Sequence, residues 1–287
     1  IPASEHIVKY AYRWPYEKAI ELAIDATLCA KEQGLYTVFF PIDGTRTELN
    51  TFMNLITRVA NEGHMDALAI VDTFGGLAPS ACSYLVKEIK KKIDKPLELH
   101  FHDDYGLGAA NTLAGLSAGA EVCHTSISGI GERAGNTPYE QVALALLTMY
   151  GKDTGLKYDR MYGLSQLMRK MTGLPLRPNM GIVGETINEI ESGIVADWYY
   201  NAKDEAPLEL SPYLYELTGH PDAKVVIGKM SGIPTVNIYL EQMGIECDDN
   251  DVKMEIVRQI KNKAFELGGL LTEGQFAEIV HNVIDKN

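Results

Sequence analysis

The feature that most limits the folds open to this chain is a strand, loop and helix pattern that recurs four times before about residue 150. Leu35-Tyr36-Thr37-Val38-Phe39-Phe40 is an unbroken run of apolar, aromatic and β-branched residues, as a strand covered on both faces requires. A polar loop, Pro41 to Arg46, and a helix over 47–62 follow. Ala67 to Val71, the loop Asp72-Thr73-Phe74-Gly75-Gly76 and a helix over 79–92 form the second unit. Leu97 to His102 with a helix over 107–119 forms the third. Glu121 to Ile127, the loop Gly129 to Asn136 and a helix over 138–150 form the fourth. Strands returning at intervals of about 30 residues, with helices between, demand parallel pairing and helical crossovers. The loops that follow the strands in such folds share one rim and carry the chemistry. All four of those loops hold acids, histidines, threonine or glycine, while the other connections hold bland polar residues. That asymmetry points to an enzyme.

Before the first unit, Pro15 opens a helical pattern over 15–33 whose buried face is Ala19, Leu22, Ala23, Ala26 and Cys29, stopped by Gly34. After residue 152 the pattern changes. A helix is expected over 163–172, a linker at Leu174-Pro175-Leu176-Arg177-Pro178-Asn179, irregular chain over 181–229, and helices over 234–243, 250–267 and 272–284. The expected division is therefore 1–155 and 156–287.

Charge and cysteine usage exclude several classes. A formal net charge of -13 argues against a nucleic-acid or anionic-membrane surface, so neither partner is expected. No apolar run approaches the roughly 18–20 residues of a membrane span. The opening Ile1-Pro2-Ala3-Ser4-Glu5-His6 has no basic segment and no apolar segment of a secretory leader. Cys29, Cys82, Cys123 and Cys247 lie far apart, without a C-x-x-C pair, which suits reduced thiols in the cytoplasm.

His100 and His102 stand two apart on the third strand, so both imidazoles project to one face. Neutral imidazoles at a strand end are good ligands for a divalent transition metal, although one core and one exposed histidine would share the same spacing. Asp103 and Asp104 follow at once. Asp72 and Thr73 fit equally a helix cap or a substrate contact. Asp43, Thr45 and Arg46 are a solvated turn or a site where Arg46 grips a carboxylate. Gly129-Ile130-Gly131-Glu132-Arg133-Ala134-Gly135 has a dinucleotide-binding rival reading. That fingerprint should open a βαβ unit, whereas here it closes the strand series and no strand pattern follows over 152–170.

Together, His100-x-His102-Asp103-Asp104-x-Gly106-Leu107-Gly108 and Gly129-Ile130-Gly131-Glu132-Arg133-Ala134-Gly135-Asn136 resemble the metal-dependent Claisen-condensing barrels. These are the isopropylmalate, homocitrate, citramalate and Re-citrate synthases, relatives of 3-hydroxy-3-methylglutaryl-CoA lyase. Asp72-Thr73 and Asp43-Gly44-Thr45-Arg46 resemble the ends of the family's sixth and fifth strands. Gly184-Glu185, Glu191-Ser192-Gly193-Ile194 and Gly228-Lys229-Met230-Ser231-Gly232 resemble its lid and small helical subdomains. The resemblance implies an α/β fold: strands five to eight of a (β/α)8 barrel, then a linker, a lid and helices. It also implies that a strand-one segment supplying an acid ligand lies elsewhere, on a companion chain if this chain is not a fragment.

The resemblance further implies a divalent ion (Mg, Mn or Zn) on His100 and His102, with Asn136 at or just outside its shell. Thr73 and Arg46 would bind a 2-oxo acid, and an acyl-CoA, acetyl-CoA by analogy, would add to its carbonyl in a homodimer. Asp103 would orient an imidazole N–H. Val195, Ile190 and Met230 stand where the synthases carry histidines, and Ile42 where the fifth strand often carries Glu. The proton-handling half of the site therefore departs from the family, leaving Glu132, Glu191, Asp43 or a tyrosine of 198–200 as the general base. The retro-aldol lyase reading is the alternative, though the lyases carry a Cys in a loop where Gly129–Asn136 has none. A catalytically altered subunit of such an enzyme is another.

Overall fold

A computed structural model describes residues 1–285 and resolves two compact units, Ile1–Leu156 and a second that begins at Lys157. In the first unit a short helix α1 (Glu5–Ile7) runs into a π-helical turn over Val8–Tyr12, and Pro15 precedes α2 (Tyr16–Glu32). Then β1 (Val38–Phe39), α3 (Leu49–Glu62), β2 (Ala67–Asp72), α4 (Pro79–Lys90), β3 (Leu97–Phe101), α5 (Gly108–Ser117), β4 (Val122–His124) and α6 (Tyr139–Thr148) alternate. The strands form one sheet in the order β1-β2-β3-β4, and every neighbouring pair is parallel. Consecutive parallel strands cannot be joined by tight turns, so each helix is the crossover that the register demands.

The sheet is shorter at its edges than the apolar runs suggest. Leu35 and Tyr36 are exposed, and the Thr37 amide donates to the Asp66 carboxylate (2.7 Å), so β1 keeps only two residues. Beyond β1, residues 1–3 lie alongside through one parallel bridge, Pro2 with Ile42, with Ala3 N–H on the Ile42 carbonyl at 2.9 Å. β2, by contrast, is buried along all six residues.

Alternation along β3 separates two chemistries. Leu97, Leu99 and Phe101 are fully buried and join Leu68 and Ile70 of β2 in one core with Phe52, Leu55 and Ile56 of α3 and Val86 and Ile89 of α4. Glu98 and His100 face the other way, followed by His102 one residue beyond the strand. Helix burial therefore holds the polar face of β3 in place.

The second unit contains α7 (Met161–Thr172), a two-stranded parallel sheet of β5 (Glu189–Ile190) and β6 (Lys224–Val225), and α8 (Gly193–Ala202). Helices α9 (Ile233–Gln242), α10 (Asn250–Leu267) and α11 (Glu273–Ile284) close a second core around Val236, Leu240, Ile256, Ile260, Phe276 and Val280. Thr272 and Gln275 form a capping box that starts α11. The expectation of irregular chain over 181–229 misses α8 and the small sheet. Paired strands of two residues carry no period, and α8 has neither a side-chain cap bond nor a polar stripe to mark it. All four cysteines are free, and no described helix is long and apolar enough to cross a membrane.

Leu99→Ala should cost about 2–5 kcal/mol, because a fully buried side chain leaves a cavity between sheet and helices. Urea unfolding should show a lower midpoint with unchanged slope, while Leu35→Ala, at an exposed position, should move stability by less than about 0.5 kcal/mol.

Candidate active site

The C-terminal ends of the four strands bring Asp43, Arg46, Thr73, His100, His102, Glu132 and Asn136 to one rim. His100 and His102 lie with ring centroids 5.6 Å apart and planes at 72°. The loop after β4 folds back across them: Asn136 forms an antiparallel bridge with His102, and its side-chain amide donates to the Phe101 carbonyl at 3.4 Å. His100, His102 and Asn136 are thus gathered at the end of one strand.

The two imidazoles suit a cation. His102 Nδ1 is buried with no hydrogen-bond partner, an orphan that an ion or water would satisfy. Burial, then the neighbouring His124 and His102, push His100 down to about 4, so at neutral pH its ring is uncharged and keeps a lone pair. Among the described residues no group of three His, Cys, Asp or Glu side chains could hold an ion. These residues therefore fit a metal as two ligands of a shell that needs more.

Two side chains beneath the pair escaped the reading of the sequence. The β3–β4 register sets His124 opposite His100, and their Nδ1 atoms are 3.2 Å apart. His124 Nε2 in turn lies 2.8 Å from Glu98 Oε2. Phe40 meets His100 edge-on at 5.0 Å and stacks on His124 at 6.2 Å. Glu98 was findable, since positions 98, 100 and 102 alternate onto one face. His124 needed the strand register.

Asp103 does not orient an imidazole. Its Oδ1 accepts the Gly108 N–H at 2.6 Å, the first amide of α5. Asp104 instead binds Arg133 through Nε and Nη2 at 2.9 Å each, and Arg133 Nη2 also reaches the Thr73 carbonyl. That pair holds the Asp104 carboxyl below the usual carboxylate range, the Arg133 hydrogen bond being the largest cause.

Asp43 is fully buried, and Arg46 grips both its oxygens at 2.7 Å. The Arg46 guanidinium also lies 3.9 Å over the Phe74 ring. Thr73 Oγ1 accepts the Asp43 N–H at 2.8 Å, which leaves its O–H free to donate. Asp72 accepts the Thr45 hydroxyl at 2.7 Å and the Leu77 amide at 2.9 Å, so it organises the loop after β2. Glu132 is exposed on the same rim. Glu191 belongs to the second unit, where it accepts the Met230 N–H at 3.0 Å and braces the 228–232 loop. Val195 lines a cavity of about 730 Å³ in that unit with Tyr199, Tyr213 and Tyr215, while Met230 is largely exposed.

Of the five non-glycine residues with positive φ among the described residues, three sit in the rim loops: Asp43 at 62°, Ser128 at 56° and Arg133 at 57°. Such strain persists only where surrounding contacts over-determine it. For Ser128 the contact is the buried Glu140 carboxylate, whose two oxygens each lie 2.9 Å from the Ser128 N–H. Gly135, at φ 96°, has no room for a side chain, because a Cβ there would lie 1.9 Å from the Gly129 carbonyl oxygen.

Gly135→Ala should therefore combine backbone strain and overpacking of about 1–3 kcal/mol each, seen as a lowered urea midpoint. Burial raises the Glu140 carboxyl, against smaller opposing effects from its own amide and Ser128. A carboxyl whose folded value is raised favours the neutral form, so its contribution is present below the unfolded value and lost as pH rises through the folded one. Stability of Glu140→Gln should fall less between pH 4 and 7 than that of the parent, measured by urea midpoints at both ends; parallel profiles would contradict the assignment.

Residues 1–168 match the HMGL-like family. The chain is 36% identical over 281 residues to the 2-isopropylmalate synthase of Methanocaldococcus jannaschii, covering 97% of this chain and 53% of that protein. It is also 36% identical over 276 residues to the homocitrate synthase of Methanothermobacter thermautotrophicus, covering 96% of this chain and 68% of the relative. It thus spans about half the length of the first relative and about two thirds of the second. Among solved structures, the HMG-CoA lyase of Bacillus subtilis superposes with a TM-score of 0.55 at 20% identity, over 61% of this chain and 63% of the lyase. That likeness establishes a (β/α)8 barrel-type fold for the parallel sheet. The chain belongs to the HMGL-like family.

Proposed function

We propose that the chain carries the two-histidine part of a divalent-metal site at which an acyl-CoA, by analogy acetyl-CoA, condenses with a 2-oxo acid. The observation that carries this reading is the His100 and His102 pair, the first uncharged at neutral pH and the second with an orphaned Nδ1, under the Asn136 loop. Relatives named isopropylmalate, homocitrate and citramalate synthases, all at 31–36% identity, support it. The lyase alternative draws on structural neighbours at 18–20% identity, too distant to transfer an activity, and the Gly129–Asn136 loop lacks a cysteine.

His100 and His102 would hold Mg²⁺, Mn²⁺ or Zn²⁺, with Asn136 beside it. The ion supplies Lewis-acid polarisation of the oxo-acid carbonyl. Thr73 would donate its free O–H to the oxo-acid carboxylate. Arg46 has its Nε and Nη2 on Asp43, so it would bind substrate only through its remaining N–H groups. That pairing also makes Asp43 the counter-ion of Arg46 and a poor base. Glu191 is occupied with the Met230 amide. Glu132 is the third candidate, exposed on the rim, and we assign it the α-proton of the acyl-CoA; it must come within about 3 Å of that proton, directly or through one water. The remaining acid ligand would come from a companion chain or segment that adds strands at the sheet edges, within a homodimer.

The test mixes the natively purified protein with each metal, a panel of 2-oxo acids and acetyl-CoA, and follows free thiol. Metal-dependent thiol release with at least one oxo acid is expected, with His100→Ala and His102→Ala losing it. No release with any pair, from protein with bound metal, would contradict the condensing reading.

A further inference from the structure

We propose that Glu98 and His124 are positioning residues that set the tautomer of His100, leaving its Nε2 as the ligating atom. The proposal rests on the reading that His100 and His102 hold the ion, and deepens it by assigning a role to two residues that touch neither metal nor substrate.

The argument is proton counting along one line of atoms. Glu98 Oε2 lies 2.8 Å from His124 Nε2, and His124 Nδ1 lies 3.2 Å from His100 Nδ1. A carboxylate offers only acceptors, so the proton between Glu98 and His124 belongs to Nε2. We take His124 as the neutral ring, which has one N–H, so its Nδ1 is then bare. Two ring nitrogens at hydrogen-bond distance share one proton, and with His124 Nδ1 bare it must be carried by His100 Nδ1. The His100 lone pair is thereby left on Nε2. The partner of one ring nitrogen decides which nitrogen is free for a metal, and the tautomer is fixed before the ion arrives.

Packing keeps the line straight. Glu98 is nearly buried, its register partner on β4 is Val122, and Phe40 presses on both imidazoles from the side. Removing the carboxylate frees the line to reverse. His124 can then carry its proton on Nδ1 and donate to His100, which would hold its own proton on Nε2, where no cation can bind.

Two readouts test this on the full chain labelled with ¹⁵N-histidine. Long-range ¹H–¹⁵N correlation spectra of the metal-free protein report which nitrogen of His100 bears hydrogen. The parent is expected to show Nδ1–H, and Glu98→Leu and Glu98→Gln to show Nε2–H or a mixture. Zn²⁺ titration should then give about 10–100-fold weaker binding for Glu98→Leu, the usual loss when the partner of a ligating histidine is removed. Nε2–H on His100 in the parent overturns the proposal without any variant, so a misfolded Glu98→Leu cannot protect it. Nδ1–H with unchanged Zn²⁺ affinity in both folded Glu98 variants also overturns the positioning role, while leaving the metal reading intact. Equal Zn²⁺ binding by the parent and His100→Ala overturns the metal reading and, with it, any positioning role, whatever the tautomer.

Discussion

The parallel register between β3 and β4 is the constraint on which the site depends. It sets His100 against His124 and leaves Glu98 close enough to reach the second ring. Shift that register by one residue and every β4 side chain changes face, taking the imidazole away from its partner. What holds it is apolar: Leu97, Leu99 and Phe101 are locked under the helices on the reverse side of the same strand. A hydrophobic core on one face thus positions polar chemistry on the other, with each alternate residue of β3 serving one purpose.

Around that strand the rim is built by ion pairs more than by free charges. Arg46 with Asp43 and Arg133 with Asp104 are both bidentate, and both guanidiniums lie over Phe74. Arg133 ties the loop after β4 to those after β2 and β3, Phe74 brings in the Arg46 loop after β1, and the pairs hold strained backbone at Asp43 and Arg133. The cost is that two arginines and two aspartates which look available in the sequence are already engaged. Uncommitted groups among the described residues include the Thr73 hydroxyl proton, the orphaned His102 nitrogen and the exposed Glu132.

Much of the first unit was legible because parallel strands and crossover helices write strong, regular patterns. The helices over 47–62, 79–92 and 107–119 lie within two residues of α3, α4 and α5, apart from frayed ends. The edges were less legible, since pairing at Val38 and Phe39 depends on where Asp66 captures the Thr37 amide. The same limit explains the site. His100 and His102 are neighbours in sequence and could be read from alternation, but His124 is 24 residues further on, joined to His100 only by register. Asp103 was misassigned because a carboxylate beside two histidines looks like their partner, whereas it accepts the first amide of α5. In the second unit, α8 and the small sheet are stabilised by tertiary contact, which leaves little periodicity to read.

The central claim, that one cation is shared by His100 and His102, is most directly tested by X-ray absorption on the Zn²⁺-loaded protein. The account predicts two imidazole scatterers at about 2.0–2.1 Å, falling to one in His102→Ala and in His100→Ala. A zinc shell without imidazoles, or one that neither substitution changes, would contradict it.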